Sequence, residues 1–96
     1  MPDYIRVVTF EADEEALAAL VSEIDSAGGS PEGVPAKRIT VLSDRAAGKL
    51  LVVIRFGSEE DLRKGAAVLE AMSPPAGLNM SRVAVDAYEV VLEREA

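Results

Sequence analysis

Val7-Val8-Thr9-Phe10 followed by Asp13-Glu14-Glu15-Ala16-Leu17, and Val53-Ile54-Arg55-Phe56 followed by Ser58-Glu59-Glu60-Asp61-Leu62, are one phrase written twice. Each begins as an apolar, β-branched run ending in Phe, which reads as a strand. Each continues into Asp or Ser, whose side-chain oxygen can cap the free amides of a helix, and then into acids placed where the helix dipole favours negative charge. The phrase is therefore a strand-to-helix junction, and its repetition predicts two of them.

The remaining elements follow outward from these junctions. The first strand spans Tyr4 to Phe10. In the helix after it, Leu17, Leu20, Val21 and Ile24 recur at helical spacing until Gly28-Gly29 offers a positive-φ exit. Ser30-Pro31-Glu32-Gly33-Val34-Pro35 is a loop by composition and the segment expected to be most mobile. Arg38 to Ser43 and Lys49 to Phe56 read as a hairpin. Pairing Asp44 with Lys49 across Arg45-Ala46-Ala47-Gly48 sets Leu42 beside Leu51, Thr40 beside Val53 and Arg38 beside Arg55. The second helix turns Leu62, Ala66, Leu69 and Met72 inward and stops before Pro74-Pro75. A final strand is expected from Arg82 to Leu92.

The order β-α-β-β-α-β over residues 1–96 is a single ferredoxin-like α+β domain. Right-handed crossovers put the first and third strands at the centre of a four-stranded antiparallel sheet with both helices on one face.

Composition narrows the function classes. The net charge is -7, and the acidity is concentrated: residues 1–35 hold eight acids against Arg6, whereas residues 36–96 hold nine of each sign. An acidic chain without a basic cluster repels phosphate backbones, so no nucleic-acid partner is expected. With no Cys and no His, disulfides, thiolate nucleophiles and the commonest metal ligand are excluded, and neither a metal nor a cofactor is expected. No apolar run approaches a membrane span and no leader pattern opens the sequence, so a cytoplasmic protein with no membrane partner is the expectation. Gly28-Gly29 and Gly77 do not form a phosphate-binding pattern, since a dinucleotide fingerprint needs its glycines between a strand and a helix start and those junctions carry acids here.

The face of the sheet away from the helices carries the functional question. If Val8, Phe10, Val52, Ile54 and Phe56 face the helices, then Ile5, Val7, Leu42, Leu51 and Val53 face away, together with Thr9. The unbroken run Leu50-Leu51-Val52-Val53-Ile54 points the same way, because a strand with one wet face alternates. A contiguous apolar face of this kind predicts a partner, and a second copy of the chain closes it by two-fold symmetry.

With that arrangement the chain resembles the dimeric α+β barrel superfamily, of which the antibiotic-biosynthesis-monooxygenase-like proteins are a branch. The likeness runs from Tyr4 to Glu93 and rests on element order and on the long last strand Arg82-Val83-Ala84-Val85-Asp86-Ala87-Tyr88-Glu89-Val90. It implies two protomers packed through their open sheet faces, around a lumen that in some members is an oxygenase site. The His of the haem and isomerase branches is absent here, as is the Trp of several oxygenases.

Thr9, Arg38, Thr40, Arg55, Asp86 and Tyr88 interrupt the open face; Thr9, Arg38, Thr40, Arg55 and Tyr88 are the candidate ligand-binding residues, and Arg55, Asp86 and Tyr88 the candidate catalytic ones. Arg55 and Tyr88 should flank Ile5, with Asp86 about one row away. Arg55 could hold a carboxylate, enolate or phenolate, Tyr88 donate to an oxyanion, and Asp86 act as a base once desolvated. The same Arg55 and Asp86 are also placed to form a plain ion pair. Two functions are therefore expected: a homodimeric, non-catalytic dimerisation or ligand-sensing module, or a cofactor-independent monooxygenase acting on an apolar or aromatic metabolite in the sheet-face pocket.

Overall fold

A computed structural model describes residues 2–71 and 79–96. The elements are β1 (Tyr4–Ala12), α1 (Glu14–Ala27), β2 (Ala36–Asp44), β3 (Lys49–Phe56), α2 (Glu59–Glu70) and β4 (Met80–Glu89). They form an antiparallel sheet in the order β2-β3-β1-β4 with the helices against one face, a ferredoxin-like α+β fold as the order of elements predicts.

Both repeated junctions are built as their residues dictate. The Asp13 carboxylate accepts the Ala16 amide at 2.8 Å and the Ser58 hydroxyl accepts that of Asp61 at 3.1 Å, each from an extended cap residue. Helix α1 ends at Gly28, whose φ of 70° is the left-handed conformation a C-terminus favours. The hairpin has the expected register, Asp44 opposite Lys49 and Leu42 opposite Leu51.

Strand limits differ from the sequence reading for reasons of pairing. β1 continues to Ala12 because that residue has partners on both sides: its amide donates to the Gly48 carbonyl at 2.9 Å and its backbone pairs with Met80. β4 starts earlier than expected, at Met80, and ends at Glu89. One more rung, Val90 N–H to the Asp3 carbonyl at 2.8 Å, closes the ladder. Val91 and Leu92 have β-forming side chains but no strand beside them, so propensity alone does not extend β4.

Phe56 and Leu50 are fully buried, Val8, Ala16, Leu17 and Ile54 are buried as well, and Ile54 packs with Phe56 in the core cluster. The Ser30–Pro35 loop, expected to be the most mobile segment, is anchored in this core through Val34. Val34 is buried against Ile54 and Phe56, its amide is bonded to the Pro31 carbonyl, and its carbonyl accepts the Ser30 hydroxyl at 2.8 Å. Val21, expected on the apolar stripe of α1, is instead exposed, so the buried stripe runs through Leu17 with Leu20 and Ile24 half-buried. Met72 and the Pro74-Pro75 stop lie outside the described residues.

Arg6 is buried in the middle of the helix-facing side of β1. Its Nη2 donates to Glu70 at 2.8 Å, and Arg82 reaches the other oxygen of the same carboxylate at 3.3 Å. A bulge makes the second contact possible. Between Thr9 and Phe10 the pairing with β4 skips one residue, so Phe10 faces Arg82 and the arginine moves to the helix side. An acid in the last turn of a helix opposes the dipole, and these two arginines offset that penalty for Glu70. Replacing Glu70 by Ala leaves a buried guanidinium without its acid. The expected loss is about 1–3 kcal/mol, read as a lower urea midpoint, whereas Arg6→Met, which removes the charge but keeps the volume, should change it by less.

Candidate functional site

The pairing register arranges the open face as a grid. Across β2, β3, β1 and β4, one row reads Arg38, Arg55, Ile5, Tyr88. The next reads Thr40, Val53, Val7, Asp86, and the third Leu42, Leu51, Thr9, Ala84. Every open-face position inferred from the sequence therefore falls in three adjacent rows. Strand and residue spacings make this patch roughly 14 Å on a side.

Within the grid the aliphatics hold the centre and the polar groups the margin. Ile5, Val7, Leu51 and Val53 are half-buried by their neighbours, while Leu42 is 49% and Tyr88 56% exposed. Arg55 and Tyr88 do flank Ile5, and Asp86 lies one row on, beside Val7. The ion pair with Asp86 is not the one that forms. Arg55 and Asp86 sit on strands separated by β1 and in different rows, whereas two other acids lie closer.

Those acids complete a polar cluster around Arg55. Arg55 Nε donates to Asp3 at 2.6 Å, and its Nη1 and Nη2 donate to the two oxygens of Glu93 at 2.7 and 2.5 Å. Lys37 Nζ donates to Asp3 at 3.1 Å. Arg38, opposite Arg55 in the register, completes the lining of a cleft of about 330 Å³ with Asp3, Lys37, Arg55 and Glu93. Sequence reasoning missed Asp3 and Glu93, which come from segments flanking the sheet. The one available signal was parity, since Asp3 shares the face of Ile5 and Val7.

Electrostatics follow from this packing. Hydrogen bonds from Arg55, then Lys37, hold the Asp3 carboxyl below its usual value of 3.8, and the Arg55 fork holds Glu93 below 4.5. The two acids raise the already high pKa of Arg55. On the other face of β1, Tyr4 donates its hydroxyl to Glu89 at 3.1 Å, and that acceptor raises the phenol's pKa. For Asp3 and Glu93 the folded value lies below the unfolded one, so their contribution to stability is present above the unfolded pKa and is lost as pH falls through the folded pKa. The unfolding midpoint of the wild type should therefore drop between about pH 5 and pH 3 more steeply than that of Arg55→Gln, in parallel urea titrations. Equal slopes would mean that the cluster contributes nothing.

At the opposite end of the sheet a smaller cleft of about 210 Å³ lies between the hairpin and the start of α1. Its charged pair, Arg45 and Glu14 at 3.6 Å, is exposed on both sides, and the carboxylates there serve helix and turn. At the second junction Glu59 and Glu60 pair with Arg63 and Lys64 one turn on.

No family model matches the chain, and no curated protein does. Among solved structures, that of Rv0793 from Mycobacterium tuberculosis superposes with a TM-score of 0.59 over 98% of each chain, at 14% sequence identity. The fold is shared; the sequence is not. At that identity the likeness carries the architecture alone. No helix among the described residues is long and apolar enough to cross a membrane.

Proposed function

We propose that the chain works as a homodimer closed through its open sheet face, in the manner of a dimeric α+β barrel, and that it binds a small apolar molecule between the sheets as a non-catalytic sensing or dimerisation module. The observation that carries this reading is the grid. Five aliphatic side chains, Ile5, Val7, Leu42, Leu51 and Val53, are contiguous on a face that neither helix covers. Full burial of one such side chain is worth roughly 1.5–3 kcal/mol, and two-fold symmetry counts every gain twice. Discounted for the burial they already have, that sum still reaches the range of about 4–15 kcal/mol that association costs. The margin carries both signs of charge, Arg38 on one edge strand and Asp86 on the other, which suits pairing with an identical surface.

The oxygenase reading has less support. A carboxylate base tuned to neutral pH needs desolvation, and Asp86 is exposed in the single chain. Light scattering at micromolar concentration tests the dimer, with a mass twice that of the 10.2 kDa chain expected. A thermal-shift screen of apolar metabolites then tests the lumen, because any ligand selective for the folded state raises its melting temperature.

A further inference from the structure

We propose that the Arg38–Arg55 corner of the open face is a seat for the carboxylate of a small apolar acid, and that Glu93, from the segment following β4, is its built-in competitor. This rests on the binding-module reading and adds to it a ligand class and a control.

The geometry of Arg55 separates positioning from binding. Asp3 takes the Nε edge of the guanidinium, and Lys37 holds Asp3 in turn, so the plane of the fork is set by residues at the sheet. The terminal Nη1 and Nη2 are left to face outward, and a carboxylate occupies them in the two-point geometry that guanidinium recognises best. That carboxylate belongs to Glu93, four residues beyond the end of β4. Without it the corner would hold Lys37, Arg38 and Arg55 against Asp3 alone, a cationic spot on a chain of net charge -7.

Little else holds Glu93 there. Val91 and Leu92, between the last ladder hydrogen bond at Val90 and the fork, are 84% and 79% exposed, so the segment gains little from apolar burial. Glu93 is itself largely exposed, and an ion pair of that kind is weak enough to exchange. An external carboxylate entering the cleft would meet the same fork, while its apolar body could lie along the row toward Ile5 and Tyr88. Competition of this sort lowers the apparent affinity by the fraction of time the fork is filled, so freeing the fork should restore it.

Octanoate and its uncharged counterpart 1-octanol are suitable probes. Calorimetric titration should show octanoate binding about fivefold more tightly to Glu93→Gln than to the wild type, with 1-octanol unaffected by the substitution. Arg55→Gln should abolish octanoate binding and Arg38→Gln weaken it. In the wild type, octanoate should sharpen the amide resonances of residues 91–96 as the segment is released. Circular dichroism checks that each variant is folded, and light scattering on the same samples reports the oligomeric state. Unchanged octanoate affinity in Glu93→Gln, an equal gain for 1-octanol, or no octanoate binding to any variant would overturn the seat. A monomer that still shows the octanoate pattern would overturn the dimer and leave the seat standing.

Discussion

Gly65→Ala is expected to destabilise the protein by about 2 kcal/mol, although alanine is the better helix former by about 1 kcal/mol. Gly65 lies inside α2 where the helix crosses the sheet, and a Cβ there would stand 2.5 Å from Cε1 and 2.7 Å from Cζ of Phe56. Carbon atoms in contact settle at about 3.5–4.0 Å. The ring is fully buried and Val34 closes the other side, its Cγ1 3.3 Å from the added carbon, so neither neighbour is free to withdraw. Either α2 lifts from the sheet or the ring leaves its rotamer. For a domain of this length the loss should lower the melting temperature by roughly 8–16 °C. A second substitution makes the cause identifiable. Phe56→Leu shortens the side chain where the methyl group would intrude, so the double variant should be more stable than the sum of the single losses predicts, by at least about 1 kcal/mol. A midpoint for Gly65→Ala equal to or above that of the wild type would show that α2 and Phe56 do not meet this closely.

Val53→Asp is expected to convert the proposed dimer into a folded monomer. Val53 occupies the middle of the grid, between Thr40 on β2 and Val7 on β1, and two-fold symmetry would bring the new carboxylate into the interface twice. An unpaired charge at the centre of an apolar contact should weaken association at least about a hundredfold, visible as a halved mass in light scattering at micromolar concentration. The monomer should keep its fold, because Val53 points away from the cluster of Val34, Ile54 and Phe56. The helix-face neighbour provides the contrast: Ile54→Asp should unfold the chain rather than dissociate it, since Ile54 is buried within the protomer. A Val53→Asp variant that remained dimeric would remove the open face as the interface.

Much of this molecule was legible before its tertiary structure. Both caps, the exit at Gly28, the hairpin register from Asp44–Lys49 to Arg38–Arg55 and the face assigned to each strand residue follow from alternation and turn chemistry, which act within a few residues. The candidate face was legible for the same reason, since once the register is known each row of the grid is arithmetic. The partners of its charges were not. Arg55 could be placed beside Ile5 but not paired, because Asp3 and Glu93 reach it from flanking segments whose paths no local rule sets. Gly65 gave no sign of its role either, because nothing in its helix announces which ring lies beneath it.

The sequence by itself determined the kinds and order of elements, the sheet's two faces and the absence of His and Cys chemistry, because periodicity, capping and composition are local properties. Tertiary structure alone decided where long side chains and irregular segments end. It buried Arg6 under Glu70, drew Val34 into the core, stopped β4 where β1 ceased to pair, and delivered Glu93 to the Arg55 fork. These outcomes depend on contacts between residues far apart in the chain, where the winning partner is the one that packing brings near.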